Sequence, residues 1–280
     1  MRDQPHALEA AAAVASSIIH DPRLARPAAA SPAAPRPRLE AVWARHEDEV
    51  RAAQRLRHRV FAGEMGACLR PLHGTPPGHD CDIYDRYCEH LLVRTIADDD
   101  RPSEVVGTYR LLTPTAARML GGLYTETEFD LVRLARLRPR LAELGRSCVD
   151  PAWRSGSVIL MLWSSLADFM LRNGLDLMIG CASVPMRDGG FAAASLWHQL
   201  RQTHLAPIER HVLPRLALPV DELRSDLAVE PPPLVKGYLR CGAKLLGPPA
   251  WDPDFGTADL PLMLDLNDAS DTFRRHFLSR

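Results

Sequence analysis

Short apolar runs bounded by turn residues recur along this chain and predict a set of strands. An acidic, proline-containing segment from Ala97 to Ser103 lies between the first two runs and predicts that they form a hairpin. A mixture of short helix and turn is expected over 123–141. The predicted strands are 90–96, 104–112, 144–149, 177–181 and 260–266.

Helical periodicity appears in other segments. Apolar residues recur at steps of three and four over 39–66, which predicts one continuous helix there, and a second helix is predicted over 191–204. The segment 205–219 is also expected to be helical, although prolines interrupt it. Antiparallel pairing that leads into a strand–helix–strand unit predicts an α/β fold, with a mixed but mainly antiparallel central sheet flanked by helices.

The strand–helix–strand unit contains the most informative turn of the chain. The strand over 144–149 leads through Asp150 and Pro151 into Arg154, Ser155, Gly156 and Ser157, and an apolar helix then runs to Asn173-Gly174. Free N–H groups and the dipole at a helix N-terminus favour a bound phosphate. The turn therefore predicts an anion site, with helix capping by Ser155 as the alternative.

Composition restricts the function classes. The chain has 280 residues, 46% of them hydrophobic, and a formal net charge of −1, which gives no general attraction to nucleic acid. The longest apolar run, 158–171, is too short to cross a membrane, and Glu9 ahead of the alanine run is unlike a signal peptide. We expect a cytoplasmic protein with a flexible Ala/Pro/Arg-rich tail over 1–38 and a single domain over 39–280.

The cysteines and histidines do not predict a metal site. Six cysteines are scattered without any C-x-x-C pair, which is typical of a reducing cytosol. The group His79, Cys81, Cys88 and His90 matches none of the common zinc spacings. Cys148 has no histidine near it in sequence and is interpreted as structural.

Several motifs together resemble a known superfamily. The chain is similar to the acyltransferases of the GNAT fold, and within it to the ornithine N-acyltransferases of ornithine-lipid synthesis and the acyl-homoserine-lactone synthases. The resemblance covers roughly residues 50 to 265. The motifs are LRHRVFAGEMGA (56–67), DCDIYDRYCEHLLV (80–93), VVGTYRLL (105–112), ELGRSCVDPAWRSG (143–156), GCAS (180–183) and PPPLVKGYLRCGA (231–243).

The resemblance to the lactone synthases extends to individual positions. The tryptophan expected shortly after the first phenylalanine is replaced by Ala67, which, together with the last two motifs, favours the ornithine branch. The matching positions are Arg57, Phe61, Asp82, Asp85, Arg110, Glu143 and Arg146.

These matches imply roles. Glu143, beside Arg146, is the candidate base, because a protonated amine must lose a proton before it can attack a thioester. Asp82 and Asp85 are expected to hold the cationic side of the substrate, and the alternative is that these acids only pair with arginines. Lys236 either grips a carboxylate or phosphate or lies at the surface.

The resemblance also implies the donor. The strands 144–149 and 177–181 would part to hold a pantetheine arm, backbone N–H groups in the gap would form an oxyanion hole, and the turn 154–157 would bind its phosphate. The short R-x-G-S turn favours acyl carrier protein over coenzyme A. No cofactor is expected apart from this phosphopantetheine thioester as co-substrate.

The predicted activity is transfer of a (3-hydroxy)fatty acyl group from acyl carrier protein to the α-amine of L-ornithine, giving a lyso-ornithine lipid. Two alternatives remain: an N-acyltransferase of the same fold on another amine, including a lactone synthase, or a non-catalytic module that binds acyl carrier protein. Because the product is lipid-like, the protein is also expected to associate transiently with the inner face of the membrane.

Overall fold

The computed structural model describes residues 37–99, 101–154 and 156–278 of the chain. A central β-sheet with helices packed on it dominates this part. The strands are β1 (Leu39–Trp43), β2 (Glu89–Thr95), β3 (Val105–Leu112), β4 (Phe129–Asp130), β5 (Leu141–Val149), β6 (Leu177–Pro185), β7 (Leu213–Pro214), β8 (Lys244–Leu245), β9 (Ala250–Asp252) and β10 (Thr257–Asp265).

Helices connect most of these strands. The α-helices are α1 (Glu47–His58), α2 (Pro114–Leu120), α3 (Thr125–Glu128), α4 (Ser157–Arg172), α5 (Phe191–His204), α6 (Pro233–Cys241) and α7 (Asp271–Phe273). Two π-helical segments, Arg59–Glu64 and Arg274–Leu278, follow α1 and α7, and 3₁₀ segments span Val132–Arg140, Pro151–Trp153 and Ile208–Arg210. Within the described residues, no helix is long and apolar enough to cross a membrane.

The main sheet has the order β1-β2-β3-β5-β6-β10-β8, and β9 pairs with β10 outside this path. The pairs along it are antiparallel except β5 with β6, which is parallel and is joined by the crossover helix α4. The strands β4 and β7 form a separate two-stranded sheet. The predicted α/β class with a mainly antiparallel sheet is confirmed.

The parallel pair is only partly formed. β5 and β6 pair at Leu141 with Leu177, Ala142 with Met178 and Glu143 with Ile179, and the ladder then stops although both strands continue. The predicted parting of these strands is therefore confirmed.

One glycine stands where the two strands last touch. The backbone carbonyl of Leu144 would collide with a Cβ at position 180. Gly180 therefore lets the strands meet at this point, before they diverge.

The hydrophobic core on one face of the sheet is built around α4. Val158, Leu162, Leu166 and Met170 recur at helical spacing and are buried against strand residues such as Leu91. Burial of these side chains holds the crossover helix firmly behind the parting strands.

Two helix predictions were wrong. Leu39–Trp43 is a strand paired antiparallel with β2, and the helix begins only at Glu47, where the Glu49 carboxylate accepts hydrogen bonds from the backbone N–H groups of Arg45 and His46. The predicted helix over 205–219 is mostly irregular, because its three prolines supply no backbone donor. The hairpin, the crossover unit and the helix Phe191–His204 were predicted correctly.

Candidate active site

The parting of β5 and β6 opens a cleft with a volume of about 470 Å³. The walls include both diverging strands, the π-helical segment after α1, and α6. The structure brings five of the predicted site residues to this cleft: Phe61, Arg110, Glu143, Arg146 and Arg154. The cleft interrupts the central sheet, so backbone groups as well as side chains border it.

A buried charge network lies beside the cleft. Arg57, fully buried, donates to Asp80 Oδ2 at 2.8 Å and to Asp85 Oδ2 at 2.6 Å. Arg110 donates to Asp82 Oδ1 at 2.7 Å and to Asp85 Oδ1 at 2.9 Å. Each arginine thus bridges two carboxylates, which fixes α1 against β3 and the loop before β2.

The network bears on the expected substrate contacts. Asp85 is buried, and both of its oxygens accept from arginines, with Gln54 Nε2 adding a bond at 3.0 Å. Burial alone would raise the pKa of Asp85, but the charges of Arg57 and Arg110 outweigh it and hold that pKa well below its usual range. Asp85 and Arg57 therefore lie buried in paired positions, and their expected contact with the substrate stays a prediction.

Arg146 connects the network to the cleft. Its guanidinium lies 4.9 Å from the ring centre of Tyr124 and 5.0 Å from that of Phe255, and it approaches Asp80 and Asp82 at 3.3 Å each. Its φ is 50°, at an irregularity in the β3–β5 register. A non-glycine residue in this region of φ is uncommon and costs free energy, which the ring contacts and ion pairs offset.

Glu143 is buried and fully bonded. Its Oε2 accepts from the backbone N–H of Tyr124 at 2.6 Å, and its Oε1 accepts from the backbone N–H of Thr125 at 2.6 Å and from the Thr125 hydroxyl. Burial raises the pKa of Glu143, while these three donors act against that shift. The carboxylate thereby anchors the start of α3, a role that the sequence did not suggest.

The phosphate role of the turn 154–157 stays a prediction, and the structure describes part of this turn. Arg154 forms a two-pronged ion pair with Glu64, with both bonds at 2.6 Å, across the outer rim of the cleft. Gly156, at φ 93°, directly precedes α4, which begins at Ser157, while Ser155 lies outside the described residues. Lys236, on α6, pairs with the exposed Glu230 at 2.9 Å, away from the described lining of the cleft.

A small apolar cavity of about 70 Å³ adjoins the cleft between the sheet and helices α4, α6 and α7. Trp163, Leu166 and Phe273 are among its lining residues. The hydroxyls of Tyr109 and Tyr238, which line both spaces, are 2.5 Å apart and form a polar point at the boundary. The apolar lining of this cavity suits a hydrocarbon chain.

A polar pocket of about 350 Å³ adjoins the cleft on another side and shares Tyr124, Arg146, Asp252 and Phe255 with it. Asp82 lines this pocket, together with Glu128. Burial, together with the charges of Asp259 and Asp252, raises the pKa of Glu128 to about 9.

Sequence reasoning missed Glu128, Asp252 and Asp259. Asp259 lies in β10 between the apolar residues Ala258 and Leu260, and an acid with such neighbours is a detectable signal. Glu128 and Asp252 belong to irregular segments whose contacts no local pattern foretells.

Cysteines and possible metal ligands were assessed in the same region. Burial raises the pKa of Cys148 to about 12, so the thiol is protonated at neutral pH, in line with a structural role. Of the described residues, only Glu128, Cys181 and Asp259 bring three potential metal-ligand atoms within 4.8 Å of one another, and the histidine–cysteine group around residues 79–90 does not.

Comparisons with known proteins agree on an acyltransferase. The chain is 35% identical over 249 residues to the L-ornithine N(alpha)-acyltransferase of Rhizobium meliloti (strain 1021), covering 85% of this chain and 84% of that protein. It is 34% identical over 250 residues to the L-ornithine N(alpha)-acyltransferase of Brucella abortus (strain 2308), covering 85% and 88%. Residues 56–164 match the profile of the family described as Acetyltransferase (GNAT) domain.

Solved structures with a similar course of the chain were also found. The AHL synthase LasI has a TM-score of 0.49 at 14% identity, with 86% of this chain and 95% of that chain covered. FeeM, an N-acyl amino acid synthase from uncultured soil microbes, has a TM-score of 0.49 at 12% identity, with 83% and 94% covered.

Proposed function

Because this chain belongs to the family of L-ornithine N(alpha)-acyltransferases, we propose that it transfers a (3-hydroxy)fatty acyl group from acyl carrier protein to the α-amine of L-ornithine. The product is a lyso-ornithine lipid. One observation carries the proposal: the pairing of β5 with β6 ends at Glu143 and Ile179 and opens a cleft that adjoins both an apolar cavity and a charged pocket.

The donor is proposed to enter where the strands part. The amide groups of a pantetheine arm can pair with strand edges left by the interrupted ladder, and backbone N–H groups there would polarise the thioester carbonyl. The acyl chain would then fill the apolar cavity. The phosphate is assigned to the turn 154–157, where Arg154 must exchange its pairing with Glu64 for the donor.

The amine substrate is proposed to occupy the polar pocket. Arg146 can bind its α-carboxylate, since the guanidinium lines the pocket, and Asp82 lies beside it. The contribution of Glu143 is proposed to be indirect: it holds Tyr124 and Thr125 in place at the border of cleft and pocket. Burial raises the pKa of Glu143, but both of its carboxylate oxygens already accept from Tyr124 and Thr125, so neither is free to take a proton from the amine.

Membrane association is proposed at one exposed apolar patch. The side chains of Val132, Ile208 and Leu213 are 70%, 63% and 67% exposed. They belong to neighbouring segments, since Asp130 pairs with Leu213 and Arg133 donates to the Ile208 carbonyl at 2.8 Å. Apolar side chains beside arginine suit a membrane that contains anionic lipids. Co-sedimentation with anionic vesicles, lost in an Ile208→Asp variant, would support this surface.

The activity is tested with purified protein, a 3-hydroxyacyl carrier protein and separate amines, with products identified by mass. We expect acylated ornithine, slower reaction with lysine, and little product with norvaline or S-adenosylmethionine. The matched acyl-coenzyme A should be a much poorer donor. A homoserine-lactone product from S-adenosylmethionine, or no transfer to any amine, would reject the proposal.

A further inference from the structure

Three acidic side chains from separate elements converge beside the point where β5 and β6 part. Glu128 is the last residue of α3, Asp252 ends β9, and Asp259 lies in β10. Cys181, next to Gly180 on β6, completes the group, because potential ligand atoms of Glu128, Cys181 and Asp259 all lie within 4.8 Å of one another. We call Glu128, Asp252 and Asp259 the acidic trio.

The acidic trio lacks positive partners. Among the described residues, none of its members forms an ion pair with an arginine or lysine. Asp259 is buried and accepts from the Thr257 hydroxyl at 2.9 Å, and Asp252 Oδ1 accepts from the backbone N–H groups of Asp254 and Phe255. Both carboxylate oxygens of Glu128 are buried, and the side chains beside them are Asp259 and Cys181 rather than a cation. A buried acid without a positive partner favours its neutral form, and a cationic ligand would favour its charged form.

The surroundings of Glu128 complete the electrostatic description. Asp259 and Asp252 face it from the sheet, Cys181 adjoins it on β6, and Arg146 and Arg215 line the same pocket. Burial, followed by the charges of the two aspartates, raises the pKa of Glu128, and burial likewise raises that of Asp259. The trio of the free enzyme therefore retains a proton near neutral pH.

We propose that the acidic trio is the subsite for the reacting α-ammonium group of the amine substrate and that Glu128 accepts its proton. This inference rests on the proposed function. The position of the acidic trio favours the α-ammonium over the distal ammonium of the substrate. Cys181, which belongs to the same group, adjoins the strand junction at which the thioester is proposed to enter. The trio also borders both spaces: Glu128 lines the polar pocket, Asp259 the cleft, and Asp252 both.

The proton balance of the step is simple. An incoming ammonium displaces the proton held by the trio, which leaves to solvent. The Glu128 carboxylate then takes one N–H proton, and the nitrogen lone pair attacks the thioester carbon. As the C–S bond breaks, a second N–H proton passes to the departing thiolate. The products are an amide, a free thiol and one net proton.

A metal ion fits the group less well than an ammonium. Burial, with the charges of Glu128 and Asp259, raises the pKa of the Cys181 thiol well above its usual range, so it remains protonated. A protonated thiol is a poor ligand, and Mg²⁺ and Ca²⁺ prefer oxygen donors throughout. An ammonium needs only hydrogen-bond acceptors, which the carboxylates supply.

Calorimetry in buffers of different ionisation enthalpy measures protons exchanged on binding and does not depend on turnover. The parent protein should release a proton when ornithine or norvaline binds at neutral pH. It should release none with 5-aminopentanoic acid, which lacks the α-amine. The Glu128→Gln and Asp259→Asn variants should lose the release, and Glu209→Gln, an exposed glutamate on Ile208–Arg210, should keep it.

The outcomes separate the inference from the proposed function. Proton release that persists in both variants, or no release or no ornithine binding in the parent, would overturn the subsite. Proton release with 5-aminopentanoic acid but not with norvaline would assign the acidic trio to the distal ammonium. That result would also overturn the proposed α-ammonium subsite. Tight Zn²⁺ binding abolished by Glu128→Gln would reassign the trio to a metal. Proton release on ornithine binding that both variants lose, without acyl transfer in the mass assay, would support the subsite and reject the proposed function.

Discussion

Two groups of carboxylates lie side by side in this protein and have opposite electrostatics. In the network around Arg57 and Arg110, the buried Asp85 is matched by two guanidinium groups, and its pKa lies below its usual range. In the acidic trio, Glu128 faces two further carboxylates, and its pKa is raised to about 9. Burial acts on both groups, so neighbouring charge makes the difference.

The comparison separates acids that are paired with arginines inside the fold from acids that have no positive partner and are proposed to bind a ligand. In the matched network each carboxylate has an arginine partner without substrate, and removing one member leaves a buried charge unpaired in a low dielectric. In an unmatched cluster the buried carboxylates repel one another when charged, and a cationic ligand would reduce that repulsion. Residues quoted for the family resemblance fall mostly in the first class, whereas the acidic trio forms the second.

The largest effect is expected on removing a cation from the matched network. Arg57→Ala should lower the free energy of unfolding by about 3–5 kcal/mol, because Asp80 and Asp85 lose their partner in a buried place. Chemical denaturation measures this. The control is Arg51→Ala on the same helix, where the ion pair with Glu47 is exposed and the expected change is below about 1 kcal/mol. Equal losses in both variants would contradict the comparison.

The second prediction concerns the unmatched cluster. Glu128→Gln should reduce kcat/KM about 10²-fold or more while the protein stays folded. Because the pKa of Glu128 is raised on folding, the parent should lose stability as pH rises from about 5 toward 9, and the variant should lose less. Urea denaturation across this range tests the sign. A parallel decline in parent and variant would show that Glu128 is not the group responsible.

The third prediction distinguishes a positioning residue from a base. Glu143→Gln places an amide NH₂ against the N–H donors of Tyr124 and Thr125 and should lower the free energy of unfolding by about 1–3 kcal/mol. Because Tyr124 and Thr125 then shift, kcat should also fall. The pH profile of kcat/KM for the surviving activity should keep its acidic limb. Disappearance of that limb with unchanged stability would restore Glu143 as the base.

The smallest stability effect is expected at the exposed rim. Glu64→Gln removes the partner of Arg154 and should change the free energy of unfolding by less than about 1 kcal/mol. The released guanidinium should lower the KM for acyl carrier protein a few-fold, and Arg154→Ala should raise it. Steady-state kinetics on both variants measures the KM for acyl carrier protein and so tests whether Arg154 binds the donor.

Local sequence patterns correctly predicted the strands and helices that are bounded by turn residues. The hairpin and the crossover unit follow from apolar runs, proline and glycine. Leu39–Trp43 was merged into a helix because its apolar spacing continues smoothly into α1. Only its pairing with β2, fifty residues later in the chain, identifies it as a strand.

The site was predictable in part for the same reason. Glu143 and Arg146 stand out as charges in a strand, but the pairing of Asp85 with Arg57 and Arg110 depends on how α1 packs on β3. The acidic trio assembles residues from 128 to 259, a separation at which no sequence spacing carries information. Asp259 alone could have been noticed, as an acid between apolar neighbours in a strand.

The interrupted ladder between β5 and β6 makes the fold itself incomplete without its co-substrate. Backbone amides of β5 and β6 that face the gap should exchange with deuterium faster than those bonded to β3 and β10, because they have no partner strand. A donor that supplies the absent pairing binds only the native state, and therefore adds to thermal stability with the logarithm of its concentration above Kd. The enzyme would thus persist longer in a cell where acyl donors are plentiful than in one where they have run out.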